Sequence, residues 1–404
     1  MAVRPGVLDG VHLAARAVAA PLVLGLRWLG PQRVAAPCPV ESSWAARCKV
    51  VADEVFFLTE FLAGSSFAFS EGARVTAEVD EALWLYQARG WLDDPASFHA
   101  EPPAIGAYGE TEGFVRGVPF RRLRFDSGYR PWGGEPGGAR WLGYRPNRTA
   151  HVRLFQHHGP PRPWVVCVPG YRMGHPRIDW VGFGIGWLYR TLGLNVAIPV
   201  MPFHGERRCG RRGGDGYLAG DVLDTIHAQA QAVWDIRRLV RWLRASGAPG
   251  IGLYGVSLGG YTAALLAALE DDLDCVVCGI PTVDFIDLMR ANTSDVWLTL
   301  TTWLGFDWQK IERLQRVIAP LAMRPRVPAS RCWVFTGTTD KLAPPGHALD
   351  LWRHWGGANL SWYQGSHVSF FLEPDVRATL GAALAASGLV AEARTNGAAV
   401  AMSS

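Results

Sequence analysis

The 404-residue chain is 49% hydrophobic and 19% charged, with a net charge of +4, a balance that excludes disorder over most of its length and supplies apolar material for a sizeable core. The basic residues are nearly all arginine, Lys49, Lys310 and Lys341 being the lysines, and no basic, aromatic-studded stripe appears, so nucleic acid is excluded as the expected partner. The seven cysteines, Cys38, Cys48, Cys167, Cys209, Cys275, Cys278 and Cys332, are odd in number and spread through apolar runs such as VVCV. They read as buried free thiols in a reducing, cytoplasmic compartment.

In chain order, the first candidate element is VHLAARAVAAPLVLGLRWLG, Val11 to Gly30. Arg16, Pro21 and Arg27 interrupt it too often for a membrane span, and it lacks the clean apolar centre and cleavage site of a secretory signal. It is expected to be a helix packed on the protein, with peripheral membrane contact as the alternative. Residues 1–115 as a whole are expected to be a mainly helical extension without a usable motif, and 116–387 to be the principal domain.

That domain opens with two extended stretches, VPFRRLRFDSGYRP and ARWLGYRPNRTAHVRLFQHH, separated by WGGEPGG and expected to be antiparallel strands. PWVVCVPG then reads as a third strand, buried on both faces, IDWVGFGIGWLYRTLG as a helix and LNVAIPV as a strand. In the next segment Val222, Ile226, Val233, Ile236, Val240 and Leu243 recur at helical spacing. The strand IGLYGVS follows, then candidate strands DCVVCGIP, RCWVFTG and NLSWYQG. Within DCVVCGIP, Cys275 and Cys278 would point to opposite faces, which suits neither a chelate nor a redox pair. Such alternation predicts an α/β architecture, a mostly parallel doubly wound sheet with helices on both faces. The stretch between Pro281 and Pro328 exceeds what a strand connection requires, so a helical cap insertion is expected over about 282–328. The small-residue segment 388–404 is expected to be a flexible tail.

Gly255-Val256-Ser257-Leu258-Gly259 has the form G-x-S-x-G between a predicted strand and a predicted helix. That is the setting of a nucleophile elbow, in which a tight turn holds a serine hydroxyl above the sheet. Serine needs a base to take its proton and an acid to orient that base. His367, in Gln364-Gly365-Ser366-His367, and Asp340, after RCWVFTG, supply both, and the order Ser257, Asp340, His367 fits. Asp284 and Asp287 stand as alternative acids. His347 and His354 fall in a predicted helix, while His151, His157 and His158 precede the core strands. For the oxyanion hole the expected donors are the backbone N–H of Leu258 and that of Tyr171, in Val168-Pro169-Gly170-Tyr171-Arg172.

With these motifs in place, residues 120 to 385 resemble the α/β-hydrolase superfamily through GVSLGG, TGTTDKLAPP, GSH and CVPGY. Pro202-Phe203-His204-Gly205-Glu206-Arg207 and IAPLAMRPRVPASRCWVFTGTTD are similar to its acetyl-xylan-esterase and dienelactone-hydrolase-like branch. The resemblance implies an α/β-hydrolase fold and acyl transfer at Ser257. True dienelactone hydrolases use cysteine as the nucleophile, so their ring-opening reaction is not implied.

Substrate contacts are expected from three places. Gly170, in the loop after the third strand, permits an unusual backbone there. The loop His204–Gly216, HGERRCGRRGGDG, would bring His204 and Arg207 to an anionic substrate or phospholipid head group, unless it is merely a solvated basic loop. The cap aromatics Phe285, Trp297, Trp303, Phe306 and Trp308 would line an acyl pocket, with Trp297 and Trp303 as binding residues, or fasten the cap to the core. The expected activity is hydrolysis of a carboxylic ester or thioester with an apolar acyl group, on a small-molecule or lipid substrate, needing no metal or organic cofactor. An acyltransferase on the same fold and a non-catalytic binding protein remain the alternatives.

Overall fold

Strand and helix alternate along the chain, and the strands assemble into one nine-stranded sheet. The structure, a computed structural model, describes residues 43–63, 71–218, 221–292, 299, 301–303 and 305–390. The strands are β1 (Tyr108–Val115), β2 (Val118–Asp126), β3 (Thr149–Phe155), β4 (Trp164–Val168), β5 (Asn195–Pro199), β6 (Ile251–Val256), β7 (Cys275–Gly279), β8 (Cys332–Gly337) and β9 (Asn359–Tyr363). Their spatial order is β1-β2-β3-β5-β4-β6-β7-β8-β9. The pairs β1/β2, β2/β3 and β3/β5 are antiparallel and all the others parallel.

β4 to β7 are buried at every position, as strands covered on both faces must be, which is why they read as unbroken apolar runs. The sheet separates two cores. Val166 and Val168 of β4 face one and Val165 and Cys167 the other. The first core takes the helices α2 (Gly72–Ala88), α5 (Val222–Ala245), α6 (Leu258–Ala267) and α9 (Gly346–His354), the second α4 (Pro176–Gly182) and α10 (Pro374–Ala386). In α2, Val75, Val79, Ala82 and Tyr86 form the buried stripe at helical spacing. α5 begins where the Asp221 carboxylate accepts the Asp224 N–H at 3.0 Å. The two remaining segments that bear on the site are α1 (Trp44–Ala63), and α7 (Phe285–Asn292) with α8 (Trp308–Gln315) of the inserted stretch. This doubly wound sheet is the α/β-hydrolase fold expected from the sequence.

Four expectations need correction. The sheet starts inside the stretch 1–115, because YGETEGFV forms β1, an edge strand whose largely exposed residues carry no apolar alternation. ARWLG is not a strand but a short helix, α3 (Gly138–Gly143), entered through Gly137 at φ 74°. Because β1 adds a strand ahead of the expected ones, the strand carrying CVPGY is fourth rather than third. The helix expected over IDWVGFGIGWLYRTLG breaks at Gly184, with φ 61°, into α4 and a turn of π-helix at Trp187–Thr191. Cys167, Cys275, Cys278 and Cys332 are buried free thiols, Cys275 and Cys278 facing different cores, but Cys48 on α1 and Cys209 in a loop are exposed. Cys38, the Val11–Gly30 segment and residues 391–404 of the expected tail lie outside the described residues. Among the described residues no helix is long and apolar enough to cross a membrane.

Candidate active site

Ser257 joins β6 to α6 with φ 55° and ψ −118°, a left-handed backbone that costs a non-glycine residue energy and persists only where its surroundings enforce it. Here they do. A Cβ on Gly255 would lie 2.0 Å from the Gly259 carbonyl oxygen, and one on Gly259 would lie 1.9 Å from that of Val168. The turn is thus closed so tightly between β4, β6 and α6 that glycine alone fits on either side of the serine. The Ser257 N–H donates to the Gly279 carbonyl at 2.9 Å, fixing the turn to β7.

The candidate base His367 and the candidate acid Asp340 lie on the loops after β9 and β8. His367 Nδ1 donates to Asp340 Oδ2 at 2.7 Å, while Asp340 Oδ1 accepts the N–H groups of Leu342 and Ala343 at 3.0 and 2.8 Å. Both oxygens of this buried carboxylate are occupied, so its orientation is fixed. Burial opposes the imidazolium, yet the charge and hydrogen bond of Asp340 and the charge of Asp53 outweigh it and hold His367 above the usual histidine range. The alternative acids are placed elsewhere. Asp284 caps its own turn by accepting from Ile286 and Asp287, and Asp287 lies 3.7 Å from His347.

Leu258 is the first residue of α6, so its N–H has no intrahelical acceptor. Gly170 packs against the elbow, where a Cβ would lie 3.0 Å from the Val256 carbonyl oxygen. Next to Tyr171, Arg172 takes φ 67°. Its N–H donates to His204 Nε2 at 3.3 Å, while His204 Nδ1 donates to the Pro202 carbonyl at 2.8 Å. That arrangement requires a neutral ring, and burial indeed lowers the His204 pKa to about 4. The Arg172 guanidinium reaches Asp215 and Glu60 at 2.6 Å each and lies 4.6 Å from the centre of the Tyr171 ring. The turn bearing the Tyr171 amide is therefore held from both sides.

Ser257 and His367 share a cavity of about 1000 Å³ whose walls are mainly apolar, with Phe56, Phe57, Val181, Phe285, Met289, Phe306 and Phe371 among them. The cap stretch contributes Phe285, Phe306 and Trp308 as expected. Trp303 does not contribute, since its side chain is 87% exposed on the outside, and Trp297 lies outside the described residues. His204 and Arg207 are likewise not substrate contacts. Both are buried away from the cavity, His204 beneath the Tyr171 turn and Arg207 against Asp235 at 2.8 Å and the Val200 and Asn147 carbonyls. The loop turns this arginine inward because Asp235, buried on α5, requires a countercharge. Arg207→Met is expected to strand that carboxylate and cost about 3–5 kcal/mol of stability. Denaturant unfolding would read this loss, with KM for a soluble ester unchanged.

The wall supplied by α1 was not anticipated. Phe56 and Phe57 enter the cavity, and Glu60 on the same face pairs with Arg172 and Arg212. The spacing Lys49, Asp53, Phe57, Glu60 was the available signal of one functional helix face.

No protein-family model matches the chain. The uncharacterized proteins MT2702 and Rv2627c of Mycobacterium tuberculosis are 41% and 40% identical to it over 329 residues, which is 80% of this chain and 78% of theirs. The chain belongs to their family. Among solved structures it is similar to an acetyl xylan esterase from Paenibacillus sp. R4, with TM-score 0.48 and 14% identity over 69% of this chain and 88% of that one. A putative dienelactone hydrolase from Klebsiella pneumoniae aligns with TM-score 0.41 and 14% identity over 71% of this chain and 99% of that one. Among the described residues no group of three or more His, Cys, Asp or Glu side chains is placed to hold a metal ion.

Proposed function

We propose that this protein is a serine hydrolase that cleaves carboxylic esters or thioesters with an apolar acyl part, through an acyl-serine intermediate. The observation that carries this reading is a 2.7 Å Asp340–His367 pair opening, with the strained Ser257, onto one apolar cavity of about 1000 Å³. His367 Nε2 takes the Ser257 proton as Oγ attacks the substrate carbonyl. The backbone N–H groups of Leu258 and Tyr171 receive the developing oxyanion, preorganised by α6 and by the Arg172 clamp. The imidazolium returns its proton to the leaving alcohol or thiol, leaving an acyl-serine. Water, deprotonated by His367, attacks that ester, and Ser257 departs with its proton restored.

Labelling with a fluorophosphonate, followed by a p-nitrophenyl ester chain-length series, tests the reading. Labelling is expected, with kcat/KM rising up to about fourfold per added methylene, as ~0.8 kcal/mol per buried CH₂ implies, until the cavity is filled. A preference for acetate would overturn the apolar acyl part, and failure to label would overturn the hydrolase itself. Release of free acid in the presence of an added alcohol distinguishes hydrolysis from acyl transfer.

A further inference from the structure

The loop that carries His367 is held by a residue outside the nine-stranded sheet and its covering helices. Asp53, on α1, is fully buried. Its Oδ2 accepts the His367 N–H at 2.9 Å and the Lys341 N–H at 3.3 Å, and its Oδ1 accepts the Val368 N–H at 2.8 Å. One carboxylate therefore ties together the turn bearing the acid Asp340 and the turn bearing the base His367. A fully buried carboxylate is costly unless hydrogen-bonded donors surround it, and here every donor is a backbone amide of the candidate triad's own loops. The rest of the α1 face reinforces the contact. Lys49 donates to the Gln364 carbonyl at 2.7 Å, and the Ser366 hydroxyl donates to the Lys49 carbonyl at 2.7 Å. One helical turn beyond Phe56, Glu60 clamps Arg172 beside the oxyanion turn.

We infer that Asp53 is a positioning residue for catalysis, its carboxylate holding the His367 turn against the Asp340 turn and its negative charge favouring the imidazolium formed when Ser257 is deprotonated. This rests on the hydrolase reading above. The charge acts alongside that of Asp340. Glu54, next to Asp53 on α1, lies 3.5 Å from Lys341, and Lys49, one helical turn before Asp53, lies 2.8 Å from Glu373.

Asp53→Asn keeps the shape but removes the charge and sets an amide donor against a backbone N–H. Measured by fluorophosphonate labelling rate and kcat against pH on a short soluble ester, the variant is expected to lose about 10- to 100-fold of the plateau, the effect of a misplaced catalytic group. KM should change little. The acid limb of the profile should move to lower pH, since one of two anions favouring the protonated ring is gone. A purely structural role would leave that limb in place. Wild-type plateau and limb in a folded Asp53→Asn would overturn the inference. Should that variant fail to fold, Asp53→Glu decides: a reduced plateau with the limb retained supports the positioning role, and a wild-type plateau overturns it. Wild-type protein that labels no better than Ser257→Ala would instead overturn the hydrolase reading. An NMR titration of the His367 ring in wild type and Asp53→Asn then still tests the charge effect, an unmoved midpoint counting against it.

Discussion

Ser257→Ala is expected to lower kcat on a soluble p-nitrophenyl ester by about a million-fold, the order found when the nucleophile of a serine triad is removed. Fluorophosphonate labelling should disappear with it. The residual rate would come from the cavity and the oxyanion amides, which the substitution leaves in place. KM should stay within a few-fold, because the walls of the cavity are untouched. The fold should also be indifferent to the change. Alanine meets the same left-handed backbone at φ 55° as serine does, and the turn is closed by Gly255, Gly259 and the Ser257 backbone rather than by its hydroxyl. Equal thermal midpoints with a lost rate would place the whole effect in chemistry. Unchanged turnover would remove Ser257 from the mechanism.

The elbow was legible because its chemistry is written in adjacent residues. Two glycines, a serine and the switch from β-branched to small residues all follow from the closeness of β4, β6 and α6. Asp340 and His367 were legible for a related reason, since each follows a recognisable strand by a few residues. What stayed hidden depends on direction or on backbone atoms. An aromatic at position 303 looks the same in a sequence whether it faces the cavity or, as here, solvent. Arg207 belonged to a run of arginines that read as facing an anionic substrate or solvent, and only the fold brings Asp235 to it. Asp53 was least visible, because its partners are amides up to 315 positions away, and an amide carries no residue identity. The exposed edge strand β1 shows the same limit for the fold, since backbone pairing to β2 holds it in the sheet although few of its side chains are buried.

Asp340→Asn should separate orientation from acidity at this site, and the hydrogen bonds predict how. Oδ1 of Asp340 accepts two backbone N–H groups, from Leu342 and Ala343. An asparagine must keep its carbonyl oxygen there, because an NH₂ group would face two donors. Its NH₂ is then forced toward His367 Nδ1, which in the wild type donates across 2.7 Å. The ring can meet that donor only by accepting at Nδ1 and carrying its proton on Nε2, the nitrogen that must take the proton from Ser257. The ring is thus locked in the unproductive tautomer, and kcat is expected to fall about 10⁴-fold, as in the corresponding change of a serine triad. Loss of the Asp340 charge also removes the largest influence raising the His367 pKa, so the acid limb of the residual activity should move to lower pH. KM should remain close to wild type. A profile of kcat/KM against pH for the two proteins checks both effects together, and if Asp284→Asn rather than Asp340→Asn produced the loss, the acid would belong to the turn after β7.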